Sequence, residues 1–208
     1  MFGGSFDPVH FGHLLLAECC REQIGLDRVW FVPTAAQPHK LNGPVASAAQ
    51  RLDMLRLAIG GHSAFEVSTL ELDRGGVSYT VETLEAVRRE QPAAELFLLM
   101  GADSLSDFPT WREPARICEL AIPVTVRRAG AAEPDYAQIA RLMSAERLAE
   151  IERFRVEMPA VDFSASNIRR RVAAGLSIRY RTPRAVEKYI EVQGLYLKDE
   201  GRTADERR

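Results

Sequence analysis

Three stretches of the chain, Val29 to Pro33, Glu95 to Met100 and Ile122 to Arg127, are apolar almost without interruption and too short for helices. A strand with little polar character on either face must be covered on both sides, as in a parallel sheet packed between helices. Between these stretches apolar residues recur at helical spacing, as in Leu52, Leu55 and Ile59. The pattern predicts helices from Gly12 to Ile24, closed by Gly25, from Gln50 to Ile59, closed by Gly60, and from Thr80 to Glu90, stopped by Pro92. Thr34 to Val45 holds two prolines and a glycine, and Ala129 to Asp135 is small-residue rich with Pro134, so both are predicted loops. Strand and helix signals alternate, which predicts an α/β fold: a doubly wound, mainly parallel sheet flanked by helices, with a small helical part near the C-terminus.

Length and composition narrow the setting. A chain of 208 residues, 46% hydrophobic, supports one core, so residues 1–198 are expected to form a single domain. Asp199 to Arg208 has almost nothing apolar to bury and is expected to be a disordered tail. A formal net charge of −2 offers no general attraction for nucleic acid or an acidic membrane surface, so any anion site must be built locally. The three cysteines include no CxxC pair, which predicts neither a disulfide framework nor a zinc site and suits a cytoplasmic protein. No apolar run approaches the roughly 20 residues of a membrane span, and no signal-peptide pattern opens the chain. Oligomeric state is left open, and a homo-oligomer is compatible with the sequence. Only Met1 and Phe2 precede Gly3 and Gly4, where the first, normally central strand of such a sheet should lie. So short a strand would leave its neighbours without partners; the expectation is that the natural chain starts about five residues upstream, one strand length.

Chemistry concentrates first in Gly3-Gly4-Ser5-Phe6-Asp7-Pro8-Val9-His10-Phe11-Gly12-His13, which runs straight into a predicted helix. Glycines let backbone amides approach a phosphate, the proline-containing turn re-aims the chain, and the helix N-terminus adds the positive end of its dipole. His10 and His13, three apart across the first turn, can reach one anion and each donate to a triphosphate oxygen. Capping by an Asp-Pro turn explains Asp7 and Pro8 but not the glycines and histidines together. The absence of Gly-Lys-Ser/Thr excludes a Walker A loop, and no further Cys or His cluster turns the two histidines into a metal site.

This segment resembles the HxGH signature of the nucleotidyltransferase superfamily, which holds ATP phosphates and is shared in kind with class I aminoacyl-tRNA synthetases. The resemblance implies a Rossmann-like fold and a second, serine-rich phosphate turn, which Phe163-Ser164-Ala165-Ser166-Asn167-Ile168-Arg169 fits. Ser164 or Ser166 could simply cap a helix. Against that stands a local cationic field, because Phe163 to Val186 carries six arginines and no acidic residue. Arg169, Arg170 and Arg171 point in different directions around a helix, so one or two at most can face a site; Arg169 matches the family motif. Pro33-Thr34 with Pro38-His39-Lys40, Ser78-Tyr79-Thr80 with Thr83-Leu84, Gly101-Ala102-Asp103-Ser104 followed by Trp111, and Val186 to Tyr196 make the whole set similar to bacterial nicotinate-nucleotide adenylyltransferases.

For such an enzyme the resemblance implies transfer of AMP from ATP to nicotinate mononucleotide, giving deamido-NAD and pyrophosphate, with His10, His13 and Arg169 neutralising charge as it builds. Gly3, Gly4, Ser5, Phe6, Gly12, Gly101, Asp103, Ser164, Ser166 and Ile168 would surround ATP. Lys40, Thr80, Trp111 and the Arg112 amide would hold the mononucleotide: a cation for phosphate, a helix N-terminus for carboxylate, and an aromatic face for the pyridine. With no carboxylate cluster for a protein cage, Mg²⁺ is expected to arrive held mainly by ATP. Three rivals remain. One is adenylyl transfer to nicotinamide mononucleotide. Another is phosphopantetheine adenylyltransferase, which resembles a shorter chain without the Ser-Tyr-Thr and Trp elements. The last is a non-catalytic nucleotide-binding module.

Overall fold

Six parallel strands carry the structure, a computed structural model that describes residues 1–36 and 43–198. β1 (Phe2–Gly4), β2 (Val29–Pro33) and β3 (Phe65–Val67) pair in that order, with Phe2 opposite Phe31 and Val29 opposite Phe65. β4 (Phe97–Gly101), β5 (Ile122–Arg128) and β6 (Val156–Met158) pair likewise, with Phe97 opposite Ile122 and Val126 opposite Val156. Two backbone hydrogen bonds join the halves: Met1 N donates to Phe97 O at 2.6 Å, and Leu99 N donates to Met1 O at 2.9 Å. The resulting order, β3-β2-β1-β4-β5-β6, is that of a Rossmann-like doubly wound sheet. The expectation that a first strand this short leaves its neighbours unpartnered is thereby corrected. Three residues serve β2, and the Met1 backbone serves β4.

The helices are α1 (Phe11–Ile24), α2 (Ala48–Ile59), α3 (Leu70–Arg74), α4 (Thr80–Glu90), α5 (Pro114–Leu120), α6 (Ala145–Arg153), α7 (Ala165–Ala173) and α8 (Arg184–Val192). Gly25 closes α1 in the left-handed region at φ 80°, a conformation cheap only without a Cβ, and returns its N–H to Arg21 O. α2 starts two residues before the predicted Gln50, because Ser47 Oγ accepts from Gln50 N while Gln50 Oε1 accepts from Ser47 N. Gly60 ends α2 in extended geometry and leaves the left-handed turn to Gly61. The buried core on both faces of the sheet is built on Phe6, Phe31, Leu84, Ile117 and Val124. Among the described residues no helix is long and apolar enough to cross a membrane.

The C-terminal part folds back over the opening motif. Thr182 Oγ1 donates to Val9 O at 2.7 Å and Phe11 N to Arg181 O at 3.1 Å, so this segment clasps the start of α1. Tyr189 on α8 donates to Asp53 of α2 at 2.9 Å, and Tyr196 donates to the buried Asp7 carboxylate at 2.6 Å. The expected tail from Asp199 lies outside the described residues. Tyr196→Phe should lower unfolding free energy by about 1–3 kcal/mol, because it strips a donor from a buried carboxylate. Tyr189→Phe should cost less, since Asp53 is only half-buried. Urea titrations of the two variants check the ranking.

Candidate active site

Where the strand order reverses, between β1 and β4, the C-terminal strand ends open into a cleft of about 430 Å³. Open α/β sheets bind ligands at such a switch point. Gly3 and Gly4 reach it from β1, Thr34 from the end of β2 and Gly101 from β4, while Thr80 and Trp111 form walls. A second depression, of about 560 Å³, runs between α1 and the end of α2 and is lined by apolar side chains such as Leu14, Leu15 and Phe65. It lacks the strand-end glycines, so the cleft is the better candidate.

Beside the cleft the opening motif enters α1. His10 is the extended residue before the helix, at φ −147° and ψ 169°, and its buried ring stacks on that of His13 at 3.7 Å and 22°. A side chain at position 12 would crowd this stack, since a Cβ on Gly12 would meet His10 Cε1 and Nδ1 at 3.1 Å. His13 Nδ1 accepts from His10 N at 3.2 Å, which places the proton of a neutral His13 on Nε2. Burial pushes the His10 pKa down to about 4, with the nearby Arg128 charge adding to the effect and its own backbone opposing it. His13 lies well below the ordinary histidine value through burial first and its neighbour His10 second. Both shifts favour the neutral imidazoles in the ligand-free protein, which leaves each ring an N–H to donate.

Permanent charge comes from arginine. Arg169 on α7 donates from Nη1 to Asp7 O at 2.6 Å and lies 3.8 Å from the Asp7 carboxylate. One hydrogen bond thus joins motifs 162 residues apart. The Asp7 carboxylate also accepts from Val45 N at 2.7 Å and Ala46 N at 3.2 Å. Arg170 is exposed and Arg171 bonds Ser177 O, so one of the three consecutive arginines faces the opening motif. Ser164 caps α7 by accepting from Asn167 N at 3.2 Å, with the Ser166 hydroxyl 3.3 Å away. Ile168 is 1% exposed and its N–H is taken by Ser164 O, so packing is what it offers.

On the far side of β1, Asp103 follows β4 with a largely exposed carboxylate 3.6 Å from Arg128. Arg128 belongs to none of the sequence motifs; its position at the carboxyl end of β5, where such sheets place ligands, is the signal that marks it. Ser78 Oγ accepts from Ala35 N at 3.0 Å, tying the Ser-Tyr-Thr element to the loop after β2. Thr80 is the first residue of α4. Trp111 packs half-buried against Phe108, and Arg112 lies 4.6 Å above the Tyr79 ring while bonding Glu82. Glu71, also unforeseen, is a buried carboxylate at the cleft held by Thr83 Oγ1 at 2.8 Å. Lys40, with Pro38 and His39, lies outside the described residues. Among the described residues, no three His, Cys, Asp or Glu side chains are grouped to hold a metal ion.

Comparison with known proteins shows the family and the fold. The model of the cytidylyltransferase-like family matches residues 1–171. A relative from Thermomicrobium roseum is 46% identical over 94% of this chain and 90% of its own length, and one from Thermus thermophilus is 47% identical over 94% and 97%. Both are named as probable nicotinate-nucleotide adenylyltransferases. The Plasmodium falciparum nicotinic acid mononucleotide adenylyltransferase, complexed with NaAD, superposes with a TM-score of 0.71 over 94% of this chain and 95% of that one; at 16% identity it speaks for the fold.

The depressed His10 pKa has a measurable sign. Unfolded, His10 takes a proton near pH 6.5; folded, it resists until about pH 4. In that window the unfolded state binds more protons, so stability falls as pH drops from 6.5 toward 4. Urea unfolding at pH 7 and pH 5 should show this loss, and His10→Gln should make it shallower, leaving the part of the same sign that His13 contributes. An equally steep slope in the variant would remove the assignment.

Proposed function

The chain belongs to the cytidylyltransferase-like family and, within it, to the nicotinate-nucleotide adenylyltransferases, which makes it a nucleotidyltransferase of NAD biosynthesis, and we propose that its cleft works as follows. A phosphate oxygen of nicotinate mononucleotide attacks the α-phosphorus of ATP. The bond to the β-phosphate oxygen breaks, and pyrophosphate leaves with its Mg²⁺. No base is needed, because the attacking phosphate is already ionised; what remains is alignment and stabilisation of charge. The observation that carries this reading is the Arg169–Asp7 hydrogen bond, which closes the second turn onto the first beside the switch-point cleft.

In this arrangement the polyphosphate lies against Gly3, Gly4, Ser5 and Phe6 and the N-terminus of α1, where the helix dipole favours an anion. His10 and His13 donate hydrogen bonds as neutral imidazoles, and Arg169 supplies fixed charge. Ser164 and Ser166 add hydroxyls from the second turn. Gly101 and Asp103 face the adenosine side, where a carboxylate can accept from ribose hydroxyls. Mg²⁺ belongs to the substrate complex and is held by ATP oxygens. On the mononucleotide side, Trp111 offers its face to the pyridine ring, a contact worth about 1–3 kcal/mol for nucleobases. Thr80, the first amides of α4 and the Arg112 amide offer donors to the carboxylate, while Lys40 meets the phosphate. Backbone N–H groups can pair both oxygens of a carboxylate but not an amide NH₂, which favours the acid over nicotinamide mononucleotide to the extent that these amides make the contact. The three cysteines, free and buried, suit a cytoplasmic enzyme.

His13→Ala should lower turnover about 10²–10³-fold, the typical loss of one transition-state donor, with a native circular-dichroism spectrum at the assay temperature. Trp111→Ala should raise KM for nicotinate mononucleotide roughly 5–100-fold, the equivalent of its lost stacking, and leave KM for ATP alone. Pyrophosphate release, followed with ATP, Mg²⁺ and in turn nicotinate mononucleotide, nicotinamide mononucleotide and phosphopantetheine, tests both variants and the substrate. Near-normal turnover of His13→Ala, or preference for another acceptor, rejects the reading.

A further inference from the structure

Arg51, near the start of α2, is 1% exposed, an unusual place for a permanent cation. It makes no hydrogen bond to a carboxylate. Its Nη1 donates to Ser5 O at 2.9 Å and its Nη2 to Thr34 O at 2.8 Å, while Nε has no partner among the described residues. Asp7 acts on it only through space. Burying a guanidinium without an ion pair is costly, and an apolar side chain of similar length would fill the same volume more cheaply. Packing therefore does not account for this residue.

Its two acceptors do. Ser5 and Thr34 lie just beyond the carboxyl ends of the adjacent parallel strands β1 and β2, one in the glycine-rich turn and the other at the cleft. In a planar trans peptide, C=O and the following N–H point in opposite directions. With the Ser5 carbonyl drawn inward to Arg51, the Phe6 N–H faces away from the buried guanidinium, and among the described residues no backbone carbonyl accepts it. Phe6 itself is left-handed at φ 47°, strained for a residue with a bulky side chain. Such a conformation lasts only where its surroundings over-determine it. The Phe2, Phe31 and His13 rings grip its side chain, and Arg51 grips the preceding carbonyl.

We propose that Arg51 is the positioning residue of the phosphate turn: its fork holds the Ser5 carbonyl so that the Phe6 N–H is presented to the ATP polyphosphate, and holds the Thr34 carbonyl so that the turn keeps its register with the loop beyond β2. This rests on the proposed placement of ATP over residues 3–6. Lysine, a single point charge, cannot bond both carbonyls in this geometry.

Full-length Arg51→Met and Arg51→Lys are compared with the unaltered protein in thermal melting, in calorimetric titration with MgATP, and in steady-state kinetics varying each substrate. Arg51→Met should remain folded, bind MgATP about 10-fold more weakly and lose on the order of 100-fold in kcat/KM for ATP, the scale of one misdirected donor. KM for the mononucleotide should move less, and Arg51→Lys should recover part of the ATP affinity. A folded Arg51→Met with unchanged ATP affinity overturns the proposal. Should that variant not fold, amide-resolved NMR of the unaltered protein decides: the Phe6 amide must shift on adding MgATP, and a silent Phe6 amide overturns the proposal equally. Both readouts use ATP alone, so failure to adenylylate nicotinate mononucleotide would sink the substrate assignment without touching this one.

Discussion

A carboxylate taken out of water has to be surrounded by donors, and Asp7 collects its donors from parts of the chain that have no other reason to meet. The amides of Val45 and Ala46 come from the approach to α2 and the Tyr196 hydroxyl from beyond α8, while the Arg169 guanidinium of α7 bonds the Asp7 carbonyl and lies 3.8 Å from the carboxylate. An unpaired buried carboxylate costs several kcal/mol, and each donor lost returns part of that penalty. The opening turn therefore cannot settle until both the middle and the end of the chain are in place. That dependence is what converts two motifs at opposite ends of the sequence into one surface.

Around this centre, donors and charges are separated. The two histidines lie in a stack whose burial keeps them neutral, so they provide directional N–H groups without repelling each other or the arginines. Cationic field comes from groups that cannot lose their proton: Arg169 above the turn, Arg51 beneath it and Arg128 at the end of β5. Arriving polyphosphate would meet the same arginine charges at any ordinary pH, while the histidine tautomer, fixed by His10 N on His13 Nδ1, stays ready to donate. A protonated pair at 3.7 Å would gain attraction for phosphate at the expense of mutual repulsion within a poorly hydrated site.

Much of this is legible in the chain, where the signal is local or strongly periodic. β2 and α4 fall at their predicted bounds because one is an unbroken apolar run and the other begins at Thr80 and stops before Pro92. α2 begins earlier than its apolar stripe predicts because its capping pair, Ser47 and Gln50, precedes the first apolar position of that stripe. β3 and β6, three residues each, are too short for alternation to register; tertiary pairing makes them strands. The glycines, histidines and serine turn can be read because their backbone demands are encoded side by side. Arg51 and Glu71 cannot, since a single charge within a polar helical stretch reads as solvated until the fold buries it. Asp7 reads as an ordinary turn former for the same reason: three of its partners lie 38, 39 and 189 residues away.

Strand order decides how two nucleotides could meet. With β1 between β2 and β4, the loop after β1 is flanked on one side by the loop bearing Thr34 and on the other by the turn bearing Gly101 and Asp103. A polyphosphate over the central turn then has a neighbour on each flank, and the helices at this switch point diverge to opposite faces of the sheet, leaving the gap that α/β folds use for ligands. In the proposed reaction, the adenosine and the mononucleotide occupy these flanks and their phosphates converge above β1, so attack and departure are opposed by geometry before any group moves. Alignment of this kind lowers a barrier without acid or base chemistry. It is also why the carbonyl grip of Arg51 matters to two loops at once: it ties the turn after β1 to the loop after β2, one of the two flanks of that turn.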